Sequence, residues 1–347
     1  MDFLRILTFP FALIFGLVVW IRNGLFNAGI LASKKFDLPV ILVGNLSMGG
    51  TGKSPHIEYL VKLLQKDHSI ATLSRGYGRR SKGFLLANNT STAEEMGDEP
   101  LQFSKKFPGL PVAVDANRTN GIDKLRRHVP QLEAILLDDA YQHRKVKAGL
   151  SILLTDHTHP YFRDFLFPVG NLREWRSGKK RADIIVVTKC PKSIKESEKA
   201  EFIRKISPAS HQNVFFTYLK YSSLLSLSDG TPFRTNQNQS ALLVTGIASP
   251  GMLYAYLKQN FKKLDHISYD DHHEYSDGDF EKIRGSFLNL PGASKIIITT
   301  EKDAMRMSNP GFAGLPIYYL PIEIGFIDRE EEFNRRVKNF VSGKNVQ

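Results

Sequence analysis

The chain has 347 residues, 42% hydrophobic and 24% charged, an ordinary globular composition that excludes disorder and collagen-like order and leaves room for about two domains. Lysine plus arginine outnumber aspartate plus glutamate by 47 to 35, a net +12, which favours polyanionic partners (nucleic acid, anionic headgroups, phosphorylated substrates) without choosing among them. The single cysteine, Cys190, rules out an intrachain disulfide or a multi-cysteine metal site and reads as a small buried hydrophobe.

Residues 6–21 carry no charged side chain and stand between Arg5 and Arg22. As a helix this run reaches about 24 Å, short of the roughly 30 Å hydrocarbon core. Pro10 and Gly16 weaken it further as an independent span. An interfacial anchor is expected. A buried core helix, a true span and a signal peptide are the alternatives, the last lacking a clear small-x-small cleavage site. Residues 39–43 are a short β-branched run that reads as a buried strand, and 57–64 carry helical spacing. Further strands are expected at 69–73, 112–114, 134–137, 150–154 and 184–187, several separated by helix-length segments. Strands alternating with helices predict an α/β fold: a mostly parallel sheet of the phosphate-loop NTPase kind, flanked by helices. Residues 214–218 and the serine-rich stretch 222–228 suggest a hairpin-like connection before a second αβ block, with runs at 241–245 and 295–299 and a helix from Gly251. The expected organisation is a membrane-associating helical segment (1–36), a core domain (37–215), a hairpin-like linker (216–240) and a smaller C-terminal α/β domain (241–347).

Gly49, Gly50, Thr51, Gly52, Lys53 and Ser54 follow a strand and open a helix, with Ser47 and Met48 leading into them. Glycines let backbone N–H groups turn toward phosphate oxygens, Lys53 neutralises the β/γ-phosphates, and the Ser54 hydroxyl can ligate Mg²⁺. The strict pattern has glycine at position 47, where this chain has Ser47; the strand–loop–helix context restores most of the specificity. The second element of such a site is an acid ending a neighbouring strand. Asp138 and Asp139 supply two. A guanine site normally carries Asn/Thr-Lys-x-Asp, but Thr188, Lys189 and Cys190 lead to Pro191 where the acid must be. ATP is therefore favoured over GTP.

Polar clusters recur at 74–80, 97–100, 115–118 and 171–174, offering acids and arginines for two phosphorylated ligands. Asp271, His272 and His273 are a poor shared metal site, because adjacent histidines point apart in helix or strand. A single histidine paired with a carboxylate as a proton relay is better motivated. A membrane-associated partitioning ATPase is one rival, but its signature lysine before the glycine pair is Met48 here. A GTP-dependent switch is another, disfavoured by Pro191. There is no zinc spacing or aromatic-basic array to argue for nucleic acid, and no obligate protein partner is evident.

Together the segments 43–55, 73–79, 97–100, 138–143, 170–174, 271–273 and 299–303, in this order, resemble the tetraacyldisaccharide 4'-kinase family, the lipid A 4'-kinases of Gram-negative bacteria. The family's usual Asp-Asp-Gly-Phe-Gln reads Asp138-Asp139-Ala140-Tyr141-Gln142 here. The resemblance implies transfer of the ATP γ-phosphoryl group to the 4'-hydroxyl of a tetraacylated disaccharide 1-phosphate, giving the 1,4'-bisphosphate. It further implies a requirement for Mg²⁺ and a peripheral or monotopic enzyme on the anionic cytoplasmic face of the inner membrane. Carried onto this chain, Lys53 and Ser54 serve phosphates and metal, and Asp138 and Glu174 the metal region. Asp98 is the base for the sugar hydroxyl, His272 its partner, and Asp139 completes the catalytic set. Arg75, Arg118 and Arg173 are candidates for the lipid 1-phosphate or transition-state charge.

Overall fold

The structure, a computed structural model, describes residues 7–235, 238–271, 273–307 and 310–343. The apolar N-terminal run is a helix, Phe9–Asn27, with Pro10 in the first turn, where a missing N–H breaks no intrahelical bond. Of its residues Ala12, Gly16 and Phe26 are buried. A Cβ at Gly16 would stand 2.6 Å from Leu166 Cδ1 and 2.8 Å from Trp175 Cζ2, so glycine is what lets the loop around Trp175 dock. Trp175 Nε1 donates to the Gly16 carbonyl at 2.7 Å. Away from that contact Phe11 is 66% and Trp20 64% exposed. The buried-core-helix alternative is thereby removed, and the helix is long and apolar enough, by length and composition, to cross a membrane.

Nine strands form the main sheet, in the spatial order Ile322–Phe326, Asn213–Tyr221, Ile184–Thr188, Leu150–Asp156, Val40–Asn45, Ala134–Asp138, Ile70–Ser74, Val112–Val114 and Leu85–Leu86. Neighbours from Asn213–Tyr221 to Val112–Val114 run parallel; the two outer strands are antiparallel. Val40–Asn45 is buried at every position, as a central strand covered on both faces must be, and this is why it reads as an unbroken apolar run. Alternate residues feed two layers. Val40 and Leu42 pack with Ala71 and Leu73, whereas Ile41 and Val43 pack with Ile57, Leu60 and Leu64 of helix Lys53–Leu64. The strand order reverses beside Val40–Asn45, which places the loop after it at the carboxyl edge where open α/β sheets bind ligands.

A second, six-stranded sheet runs Pro232–Phe233, Leu224–Ser226, Ile317–Leu320, Lys295–Thr300, Ser240–Thr245 and Lys263–Ser268. The expected domain limits and the sheets divide the chain differently. The segment 216–240 is not a separate linker, since Leu224–Ser226 and Pro232–Phe233 form a hairpin inside the second sheet. The segment 241–347 does not stay in one unit either. Ile322–Phe326 returns to pair with Thr217–Tyr221, and helix Glu330–Val341 buries Phe333, Val337 and Val341 against the layer that contains Ile57 and Leu60. These partners lie more than a hundred residues apart, beyond the reach of local periodicity. The chain thus passes between the sheets twice, side by side, with Ser222 N donating to the Pro321 carbonyl at 3.0 Å.

Candidate active site at the seam between the sheets

The phosphate loop is held from both sides. Gly49 and Gly52 adopt φ of 98° and 84°, conformations that cost glycine nothing, and Gly52 caps helix Lys53–Leu64 so that its first N–H groups face the loop. Asn45 Nδ2 donates to Thr51 Oγ1 at 2.8 Å, and Thr188 Oγ1 to the Thr51 carbonyl at 2.9 Å. On the other side Met48 N donates to the Asn171 carbonyl and Arg173 N to the Leu46 carbonyl, each at 2.7 Å. His56 is buried, and burial pushes its pKa down to about 4. Its Nδ1 lies 2.7 Å from the Gly52 carbonyl and its Nε2 3.2 Å from Thr217 Oγ1. A carbonyl only accepts, so Nδ1 carries the proton of this neutral ring. Ser47 is buried, while Met48, Gly49 and Gly50 are open to solvent.

The two acids are pushed in opposite directions. Asp138 ends its strand beside Val43 and is 2% exposed. Burial, then the charges of Glu99 and Asp139, push it up to about 7 against the pull of Lys53 and Arg118. Its Oδ2 accepts from Ser74 Oγ at 3.5 Å; its Oδ1 is buried with no hydrogen-bond partner among the described residues. That buried, orphaned oxygen beside a phosphate loop is a donor that a hard divalent cation fits once the carboxyl gives up its proton. Asp139 turns away at φ 45°. Burial raises it, but Lys53 and Arg173 outweigh that and hold it below the usual carboxylate range. Arg173 Nη1 contacts its two oxygens at 2.9 and 3.0 Å, and Lys53 Nζ stands 3.8 Å away.

Glu174 and the arginines are placed less as expected. Glu174 is 1% exposed and accepts from Arg181 Nη2 at 2.8 Å, Gln142 Nε2 at 3.0 Å and Asn23 Nδ2 at 3.0 Å. It ties the N-terminal helix to the strand end, because Gln142 Nε2 also donates to the Asn45 carbonyl at 2.8 Å. Among the described residues it makes no hydrogen bond or ion pair with Asp138. Arg118 is buried; it donates to the Asp115 carbonyl at 2.9 Å and reaches the Asp138 carbonyl at 3.5 Å. Burial lowers its pKa to about 10. It braces the strand ends rather than facing solvent. Arg75 is exposed at the end of Ile70–Ser74, and Arg173 is in the phosphate-loop cluster.

Asp98 begins helix Asp98–Lys106. The preceding Gly97 has φ 87°, and a Cβ there would stand 2.8 Å from the Tyr77 carbonyl, so glycine lets the segment seat against the 76–78 turn. Arg306 Nε stands 3.4 Å from Asp98 Oδ2. Lys302 Nζ bridges Glu99 at 3.7 Å and Asp271 at 3.4 Å. His272 lies outside the described residues; His273 Nε2 pairs with Asp279 Oδ2 at 3.0 Å. Asp98 therefore faces the second sheet through charged side chains of the 301–306 segment. Glu99 and Lys302 fall within the motif segments 97–100 and 299–303, whereas Arg306 stands three residues beyond the last of them, where no motif marks it.

Comparison with known proteins identifies the family. The family model described as Tetraacyldisaccharide-1-P 4'-kinase matches residues 4–342. A tetraacyldisaccharide 4'-kinase of Flavobacterium johnsoniae is 48% identical over 342 residues, covering 98% of each chain. One of Bacteroides thetaiotaomicron is 44% identical, covering 96% of this chain and 92% of its own. The crystal structure of LpxK from Aquifex aeolicus in complex with ATP superposes with a TM-score of 0.76 at 29% identity, covering 97% and 99% of the two chains. With phosphate loop, paired acids and the 97–100 turn each in place, and relatives matched end to end, the chain belongs to the tetraacyldisaccharide 4'-kinase family.

Proposed function

We propose that this protein transfers the γ-phosphoryl group of ATP to the 4'-hydroxyl of a tetraacyldisaccharide 1-phosphate, giving the 1,4'-bisphosphate lipid A precursor. The observation that carries the reading is the loop of Gly49–Ser54 set against Asp138 and Asp139, with a third carboxylate, Asp98, presented from a separate helix. Phosphoryl transfer needs positioning and charge more than covalent chemistry. The loop N–H groups and Lys53 bind the nucleotide phosphates, and Asp139 holds Lys53 and Arg173 together beside them. Ser54 and Asp138 are the groups that would hold Mg²⁺, which when bound neutralises phosphate charge. Glu174 supports that region from behind, through Gln142 and Asn45. Asp98, with His272 as partner, takes the proton of the sugar hydroxyl as the new P–O bond forms. Arg75 is exposed at the same sheet edge, which supports reading it as the partner of the lipid 1-phosphate.

Membrane association suits an acylated substrate. The exposed apolar face of Phe9–Asn27 lies in the interface at the cytoplasmic leaflet, and the chain's net positive charge favours anionic headgroups. Purified full-length protein given ATP, Mg²⁺ and lipid A disaccharide 1-phosphate should produce a 4'-phosphomonoester, identified by mass spectrometry. ATP hydrolysis without phosphate appearing on the lipid would overturn the reading in favour of an ATPase. Deleting residues 1–27 should shift the protein toward the soluble fraction; full membrane binding of the truncated chain in high salt would place the anchor elsewhere.

A further inference from the structure

The segment after strand Lys295–Thr300 is unexplained by a phosphate loop and its acids. It opens with the short helix Glu301–Ala304, capped by Thr300 Oγ1, which accepts from Asp303 N at 3.1 Å. Its charged side chains turn back onto helix Asp98–Lys106. At the far end Lys106 Nζ sits between Glu58 Oε2 at 2.7 Å and Glu301 Oε1 at 2.6 Å; at the near end Lys302 meets Glu99 and Arg306 meets Asp98. The helix that carries Asp98 is gripped at both ends by one short piece of the second sheet.

Arg306 has a particular place in that grip. Its side chain is 8% exposed, and its three nitrogens reach three elements. Nη2 donates to Asp303 Oδ1 at 3.0 Å, Nη1 to the His273 carbonyl at 2.6 Å, and Nε stands 3.4 Å from Asp98 Oδ2. The last is an ion-pair contact rather than a directed hydrogen bond. Asp303 is a firm support: fully buried, it accepts from Gly246 N at 3.0 Å and from Thr300 Oγ1 at 2.7 Å through Oδ2, leaving Oδ1 for the guanidinium. A planar fork anchored from behind can hold two other groups at a set separation. Buried, with both terminal nitrogens hydrogen-bonded, it is not an arginine waiting for a substrate phosphate.

We propose that Arg306 is the positioning residue of the phosphoryl-transfer site, holding the Asp98 carboxylate and the backbone at His273 in one frame and acting on the reaction only through them. The inference rests on the reading of Asp98 as base. Its test is a cycle of wild type, Arg306→Met, Asp98→Asn and the double variant, made in the full chain and followed by single turnover with ATP and lipid A disaccharide 1-phosphate. Arg306→Met should slow transfer by roughly 10²-fold, the scale of a misplaced reacting group, with KM for ATP and lipid unchanged. The double variant should be no slower than Asp98→Asn alone, since residues acting as a unit are not additive. Arg306→Lys should recover part of the rate. Multiplicative losses in the double variant, or a raised KM for lipid at normal kcat, would overturn the proposal. If Asp98→Asn keeps wild-type turnover, the base reading itself fails, whatever Arg306 does. Should Arg306→Met not fold, Arg306→Lys, which keeps the charge and loses the fork, carries the same cycle.

Discussion

The phosphate loop and the seam between the sheets are both charged, yet they are built in opposite ways. The loop is contiguous. Its glycines, Lys53 and Ser54 follow one strand and open one helix, and its backbone is tied down by neighbours such as Asn45 and Asn171. The seam joins residues from three distant places, Glu58, the 98–106 helix and the 301–306 segment, through side chains alone. A site made from backbone tolerates side-chain change outside its few named positions. A site made from charges that meet across two sheets depends on every partner, and losing one leaves another buried and unpaired.

The largest expected effect breaks the seam where it meets the chemistry. Asp98→Ala should lower kcat by about 10²–10⁴-fold, the range of a lost general base, while ATP affinity stays near normal. A lowered melting temperature with unchanged kcat would make Asp98 a helix-end residue only. On the loop side, Lys53→Ala should cut kcat roughly 10²-fold or more, as for removal of a preorganised charge donor. Because Asp139 then loses one of the cations around it, nucleotide binding should weaken as well, measurable by calorimetry. Near-normal turnover would remove this loop from the site.

A third change sharpens the contrast without touching either reacting group. Lys106→Met leaves Glu58 and Glu301 facing each other in a buried place and should cost ~3–5 kcal/mol in denaturant unfolding. A loss under 1 kcal/mol would mean that water reaches the cluster. The smallest effect concerns pH. Burial, then the Glu301 charge, push Glu58 from 4.5 up to about 7 against Lys106. The folded protein therefore keeps a proton that the unfolded chain has released. The stability from this group is fully present below about pH 4.5 and is lost as pH rises through about 7. Glu58→Gln should flatten the decline across that window, read from unfolding midpoints at several pH values; an unaltered slope would assign the decline to other groups.

Much of this was open to reading in one dimension. Buried parallel strands are continuous apolar runs because both faces are covered, so 39–43, 134–137 and 184–187 stood out. The phosphate loop is local chemistry: each glycine, the lysine and the serine act within a few residues of one another, and spacing alone carries the meaning. The N-terminal helix was legible for the same reason, since apolar composition over a helix length is a property of contiguous sequence.

Tertiary structure decided what depends on partners far along the chain. Only the fold shows that Ile322–Phe326 and Glu330–Val341 return to the first sheet, because strand pairing and helix docking are set by surfaces and not by neighbours in sequence. Only the fold turns Glu174 toward Arg181 and Arg118 into the interior, where burial and available hydrogen-bond partners override residue type. Asp138 and Asp139 are identical and adjacent in sequence. They diverge because one ends inside the sheet beside Glu99 and the other turns out to Lys53 and Arg173, and electrostatic fields follow distance in space.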